Sequence, residues 1–253
     1  MAPDPAVPLA GTDDALAGVV IVAAGSGRRM AGDDGLPVDK VFLPLLGKPL
    51  LAHTVAAFEE CPAVSDIVLV LGEHNMEKGR DLAAREAWSK LTHICLGGER
   101  RQDSVKAGLD RLSGCGWVMV HDGARPCVTP ELVEAGLACA RETGAAVPVV
   151  PLSDTVKRLD GDGSIVETPP RSELWAVQTP QVFRADLLRS AYAAGLDNAT
   201  DDASLVERMG YSVSAFAGSP ENLKVTTQID MLIAEAILSG RAAASAHAAR
   251  SRA

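Results

Sequence analysis

The sequence predicts an α/β protein built on a mostly parallel sheet with helices on both faces. Short apolar runs alternate with amphipathic segments from residue 19 to residue 151, and strand, helix, strand in series is the signature of a parallel sheet. The runs are continuously apolar rather than alternating, as expected of strands buried on both sides. Glycines gather after the runs, where ligands of such sheets sit, outside the carboxyl ends of the strands.

In chain order, residues 1–17 are rich in Pro, Ala and Asp without periodicity and are expected to form a disordered leader. Strands are predicted at Val19–Val22, Asp66–Leu71, Thr92–Cys95, Trp117–His121 and Ala145–Pro151. Helices are predicted near Leu50–Glu60, Met76–Trp88, Arg101–Leu112 and Pro130–Thr143, where apolar residues recur at helical spacing. The pattern then breaks: two short alternating runs, 154–159 and 164–168, flank Asp160-Gly161-Asp162-Gly163. Asp-Gly between alternating runs is a hairpin signal, and a hairpin too small to bury itself tends to pack on a partner subunit. This arm is placed at about 153–172. Helices follow near Ala185–Ala194 and Asp202–Met209, then a strand near Ser212–Phe216 and a closing helix Gln228–Leu238. One domain therefore spans 18–240, and the Ala/Arg-biased tail 241–253 either extends the last helix or frays.

With 47% hydrophobic residues the chain can bury a substantial core, and its net charge of −9 sets the overall field against nucleic acid and anionic membranes. Five scattered cysteines without a Cys-x-x-Cys pair suggest a reduced compartment rather than zinc or redox work. No apolar stretch is long enough to span a bilayer, and a cytoplasmic protein is expected.

The first strand empties into Ala23-Ala24-Gly25-Ser26-Gly27-Arg28-Arg29-Met30, with Lys40 beyond. Glycines let backbone N–H groups approach phosphate oxygens, while Arg29 and Lys40 can neutralise charge on a reacting phosphoryl group. A triphosphate is the natural guest. The dinucleotide fingerprint fails because Met30 stands where its third glycine belongs, and the ATPase loop fails for want of Gly-Lys-Ser/Thr. The alternative is a strand-ending turn with solvated arginines.

Asp122 follows the fourth predicted strand, in His121-Asp122-Gly123-Ala124-Arg125-Pro126. A hard oxygen ligand there suits a Mg²⁺ that keeps most of its waters and bridges phosphates, and a turn or capping role is the alternative. His121 reads as a hydrogen-bonded packing residue. In Gly97-Gly98-Glu99-Arg100-Arg101-Gln102-Asp103-Ser104, the backbone of Gly98 and Glu99 with the Ser104 hydroxyl could read a nucleobase edge. Glu221 and Lys224 flank an expected strand start, which fits either metal plus phosphate or an ordinary exposed ion pair.

Together with Asp154-Thr155, Gln178-Thr179-Pro180-Gln181, Thr200-Asp201-Asp202-Ala203-Ser204 and Asn222-Leu223-Lys224-Val225, these blocks appear in an order that resembles the 2-C-methyl-D-erythritol 4-phosphate cytidylyltransferases of the non-mevalonate isoprenoid pathway. The resemblance runs from about Val19 to Leu238. It implies a Rossmann-like three-layer nucleotidyltransferase fold with a protruding β-hairpin dimerisation arm, CTP and a polyol phosphate as substrates, Mg²⁺ as cofactor, and a homodimer. Carried over by position, Arg29 and Lys40 would stabilise the charge on the triphosphate, with Lys224 assisting. Asp122 would orient metal and nucleotide, with Glu221 a helper. Ala23, Ala24, Gly25, Gly27, Gly98, Glu99 and Ser104 would hold the nucleotide. Arg125, Thr155, Thr179 and Thr200 would line the sugar-phosphate pocket, and Arg171 would reach into the neighbouring subunit's site.

This sequence departs from the family pattern in four places. Ala31-Gly32-Asp33-Asp34-Gly35-Leu36 is an insert, Asp39-Lys40-Val41 stands where Pro-Lys-Gln is usual, Glu221 replaces a common Asp, and Gly123 a usual Ala. Ribitol 5-phosphate cytidylyltransferase shares most blocks and is the nearest alternative. A catalytically silent nucleotide-binding protein is the alternative of another class, and the presence of Arg29, Lys40, Asp122 and Lys224 together argues against it.

Overall fold

The computed structural model describes residues 16–25, 39–196 and 199–250, without the side chains of 248–250. The expected leader, the glycine-arginine loop after Gly25 and the insert therefore fall outside the described residues, apart from the last two leader positions. In chain order the elements are β1 (Ala17–Ala23), β2 (Pro44–Leu45), β3 (Lys48–Pro49), α1 (Leu50–Glu60), β4 (Val64–Leu71), α2 (Met76–Glu86), β5 (Leu91–Leu96), α3 (Arg101–Leu109) and β6 (Trp117–Asp122). There follow α4 (Pro130–Thr143), β7 (Ala145–Pro151), β8 (Arg158–Leu159), β9 (Ile165–Glu167), β10 (Trp175–Val177), β11 (Gln181–Arg184), α5 (Ala185–Ala193), α6 (Asp202–Arg208), β12 (Ser214–Ala217) and α7 (Gln228–Arg250).

Alternate side chains of a strand point to opposite faces, so a strand apolar at every position demands cover on both. In β1, Val19 and Ile21 join a cluster with Leu51, Val55 and Phe58 of α1 and Val133 and Leu137 of α4. Val20 points the other way, to Val105 and Leu109 of α3, Leu188 of α5 and Leu205 of α6. Three layers result, as the resemblance implies. Helix α4 shows why local sequence sets its ends: the Thr129 hydroxyl accepts from Leu132 N at 3.3 Å, Pro130 opens the first turn, and Gly144 closes it at φ +88.

The main sheet runs β10-β7-β11-β6-β1-β4-β5, with β12 also paired to β7. Strands β6, β1, β4 and β5 are mutually parallel, while β11 is antiparallel to both β6 and β7. Gln178 N donates to Pro148 O at 2.8 Å, so β10 and β11 behave as one interrupted strand along β7. The sequence reading contains neither. Nor is there a strand at 221–225, which the sequence predicts: this segment is irregular and hangs from Ala124 through Val225 N at 2.8 Å. Helix α7 continues to Arg250, well past the expected end at Leu238.

The predicted hairpin is present as β8 and β9, pairing Arg158 with Glu167 and Leu159 with Ile165. Asp160 Oδ1 accepts from Asp162 N and Ser164 N, and Gly163 sits at φ +84, which closes the turn. Leu159, Ile165 and Val166 are at least half exposed, as is Trp175 at its base. All five cysteines are free thiols, and among the described residues no helix is long and apolar enough to cross a membrane.

Candidate active site

Parallel strands end on one edge, and four of them converge here. Register places Val22 beside Asp122, Ala23 beside Leu71 and Leu71 beside Leu96. The loops that leave these ends line a cavity of about 850 Å³ whose wall includes Ala23, Ala24, Gly25, Lys40, Gly98, Glu99, Arg101, Ser104, Asp122 and Lys224.

The close approach of strand ends and helix start explains the paired glycines. A Cβ on Gly97 would lie 2.6 Å from Ser104 Oγ and 2.7 Å from Ala24 Cβ, and one on Gly98 would lie 2.4 Å from Asp103 Cβ. No side chain fits at either position. Ser104 Oγ accepts from Gly98 N at 3.2 Å and lies 3.2 Å from Arg100 O, so the buried hydroxyl holds the turn in place. Asn75, fully buried, fastens three segments that the sequence separates widely. It accepts from Gly72 N at 2.9 Å and donates to Ala23 O at 3.2 Å and to Asp39 Oδ1 at 3.3 Å.

Asp122 is the electrostatic centre. Lys224 Nζ lies 2.9 Å from Oδ2, Arg101 Nε 3.3 Å from Oδ1, and Arg125 Nε 3.5 Å from Oδ2. Burial pushes the carboxyl's pKa up, but Lys224, Arg101 and Arg125 together outweigh it and hold the group well below the usual carboxylate range. Lys40 Nζ donates to Val225 O at 2.9 Å, which brings its ammonium beside the segment carrying Lys224. That segment is clamped from behind: Asn222 donates to Thr179 O at 2.8 Å, Gln178 to Ser219 O at 2.8 Å, and Arg125 Nη1 to Asn222 O at 2.7 Å.

Two expected pocket residues thus stand behind Asp122, outside the cavity lining. Arg125 is buried on Asp122 and Asn222, and the Thr179 hydroxyl accepts from Asp122 N at 3.1 Å. Thr155 and Arg171 lie exposed on the arm, where Arg171 donates to Ser153 O, and Thr200 is exposed ahead of α6. Glu221 is apart from the cavity lining, its Oε2 2.7 Å from Arg241 Nη2. Gly27 and Arg29 lie outside the described residues.

Sequence reasoning missed Arg101, which ties Asp122 to the buried Asp202, and it missed Asn75. The Arg100-Arg101 pair is a signal, and both line the cavity, but only the fold separates the one that bonds Asp122 from the one paired locally with Asp103.

His121 supplies a hydrogen-bond chain beneath the carboxylate. It is fully buried, its ring edge-on to Phe58 at 4.9 Å, with Nδ1 3.1 Å from the Thr179 hydroxyl and Nε2 3.4 Å from Arg125 O. A carbonyl can only accept, so Nε2 carries the proton and Nδ1 accepts from Thr179, whose oxygen accepts from Asp122 N–H. Burial drives the His121 pKa down from 6.5 to about 3. Below pH 6.5 the unfolded chain therefore takes up a proton that the folded chain refuses. Stability present above that pH is lost as the pH falls toward 3, at about 1.4 kcal/mol per pH unit for one proton. Urea unfolding between pH 6.5 and 5 should show this slope in the wild type and about one proton less in His121→Gln; equal slopes would remove His121 from the account.

Residues 17–240 match the family model described as 2-C-methyl-D-erythritol 4-phosphate cytidylyltransferase. A protein of that name from Dehalococcoides mccartyi is 49% identical over 221 residues, covering 87% of this chain and 95% of the relative. One from Halalkalibacterium halodurans is 47% identical over 223 residues, covering 87% and 96%. Among solved structures, the enzyme of that name from Thermus thermophilus superposes with a TM-score of 0.70 at 34% identity, covering 87% of this chain and 98% of its own. A 4-diphosphocytidyl-2C-methyl-D-erythritol synthase from Anaerococcus prevotii gives 0.77 at 27% identity, covering 90% and 100%.

Proposed function

Because the chain belongs to the 2-C-methyl-D-erythritol 4-phosphate cytidylyltransferase family, we propose that the cavity at the strand ends carries out that family's reaction with the residues named above. The enzyme transfers a cytidylyl group from CTP to 2-C-methyl-D-erythritol 4-phosphate in isoprenoid synthesis. The relatives compared above carry the methylerythritol name, which favours that polyol phosphate over ribitol phosphate. We place the reaction in the cytoplasm.

The roles rest on the meeting of Lys224 and Arg101 at the Asp122 carboxylate, with Lys40 on the same cavity wall and bonded to Val225 O. A phosphate oxygen of the polyol attacks the α-phosphorus of CTP as the bond to pyrophosphate breaks, and negative charge builds on the oxygens between. Catalysis of such a transfer is mainly positioning and neutralisation. Lys40 and Lys224, with Arg29 from the loop beyond Gly25, supply the positive charge. Backbone groups of Ala23, Ala24, Gly98 and Glu99 face the base, in a frame that Ser104 and Asn75 hold rigid. Gly25 and Gly27 admit the triphosphate. Arg125 and Thr179 act through Asp122 and the Lys224 segment, and Thr155 and Thr200 stand toward the polyol.

A divalent cation fits this donor set. Asp122 is a hard-oxygen ligand on the cavity wall, and no group of three or more His, Cys, Asp or Glu gathers among the described residues. A cation held there would take its other ligands from phosphate and water, as Mg²⁺ does. When bound it neutralises phosphate charge. We assign that contact to Asp122, which lines the cavity, whereas Glu221 stands outside its lining.

The arm is proposed as the dimer contact. Two- and three-residue strands are too short for independent stability, and Leu159, Ile165 and Val166 leave an apolar surface that a second subunit would cover. Arg171, at the arm's base, then reaches the neighbouring site.

Pyrophosphate release with methylerythritol phosphate should need a divalent metal and prefer CTP, because the Ala23/Gly98 frame is too small for a purine. Equal turnover with ATP or GTP would overturn the base assignment, and full turnover in excess chelator would overturn the metal.

A further inference from the structure

A buried carboxylate is costly unless paired, and the most buried one beside the cavity is not Asp122 but Asp202, at 1% exposure. Its two oxygens are divided between two donors. Tyr192 Oη donates to Oδ1 at 2.5 Å, and Arg101 Nη1 donates to Oδ2 at 2.8 Å. Burial and the neighbouring Asp202 push the Tyr192 pKa up, so the phenol keeps its proton and remains a donor. Both chain neighbours of Asp202 are tied to the sheet: Gln181 on β11 donates to Asp201 Oδ2 at 2.7 Å and accepts from Ala203 N at 3.1 Å.

The same guanidinium turns its Nε toward Asp122 Oδ1, at the longer distance of 3.3 Å, while Lys224 holds Oδ2 at 2.9 Å. Arginine–carboxylate pairs are frequently bidentate, with two N–H groups on the two oxygens. Here the shorter, more deeply buried bond belongs to Asp202. We propose that Tyr192, Asp202 and Arg101 form a positioning relay for Asp122, which anchors the guanidinium on α6 and keeps Oδ1 from being consumed by a bidentate ion pair. None of these three residues was given a role by the sequence reading. The proposal rests on Asp122 being part of the nucleotide site, and the test separates the two.

The relay is tested by a double-mutant cycle on CTP affinity, read by calorimetry on the full chain in Mg²⁺, with kcat and KM measured alongside. Asp202→Asn releases Arg101 onto Asp122, and CTP binding should weaken about tenfold with a matching loss of kcat. In an Asp122→Asn background the same change should cost CTP affinity less than twofold, because the group it acts through is gone. Tyr192→Phe keeps the Asp202–Arg101 pair and should show the same pattern at smaller amplitude, which covers the case in which Asp202→Asn fails to fold. Asp202→Glu should restore part of the affinity. Equal losses in both backgrounds would make the trio a packing feature and overturn the relay. Wild-type affinity and turnover in Asp122→Asn alone would instead overturn the reading of Asp122 on which the relay depends.

Discussion

The Lys40→Ala enzyme is expected to turn over about a hundredfold more slowly or worse, with its fold intact. Lys40 opens a single 3-10 turn, Lys40–Phe42, which is pinned by the buried Val41. Its stem is thus fixed while its ammonium lines the cavity and bonds Val225 O at 2.9 Å. Removing one preorganised donor to charge that develops in the transition state costs about 10²–10³ in kcat, roughly 2.7–4 kcal/mol. The backbone bond to Val225 is also lost, so thermal stability must be measured beside the kinetics; a modest drop in Tm with a full loss of kcat is the expected pair. Arg29→Ala is expected to behave alike. If instead KM for CTP rises and kcat holds, both residues are ground-state anchors.

The second large effect is a recovery rather than a loss. Arg171→Ala and Lys40→Ala should each cripple both sites of their own homodimer. When the two are mixed under conditions that exchange subunits, every heterodimer contains one site with an intact Lys40 from one chain and an intact Arg171 from the other. Activity should return on mixing. The physical ground is the arm: exposed Leu159, Ile165 and Val166 sit on a hairpin with no core of its own, and Arg171 follows at its base. Heterodimers that form, yet show only the sum of the two mutants' activities, would place Arg171 in its own chain's site or in none.

Much of the frame was legible because its causes are local. Helices α1 and α4 and strand β7 begin and end where the sequence predicts, since apolar spacing, Thr129, Pro130 and Gly144 act within a few residues of each end. Strands β10 and β11 escaped notice for the opposite reason. Each is short, and what makes them strands is pairing with β6 and β7 across the fold. The segment at 221–225 reads as a strand start, yet the Arg125 and Gln178 side chains and the Thr179 carbonyl hold it irregular, and no local pattern announces them.

The site divides the same way. Lys40, Gly98, Ser104, Asp122 and Lys224 sit in motifs whose chemistry can be read in place, and all five line one cavity. Arg125 and Thr179 belong to equally distinct motifs, but only the structure shows that they support Asp122 from behind. Asn75 bonds Ala23 across 52 residues and Arg101 bonds Asp202 across 101, so neither pairing leaves a spacing to find.

Cytidylyl transfer at this cavity requires the α-phosphorus of CTP to end in the polyol product. CTP labelled at the α-phosphate is incubated with the enzyme, Mg²⁺ and 2-C-methyl-D-erythritol 4-phosphate, and products are separated. The label should move into the diphosphate-linked polyol product while the released pyrophosphate carries none. Label confined to CTP and its hydrolysis products, with the polyol phosphate unchanged, would contradict it.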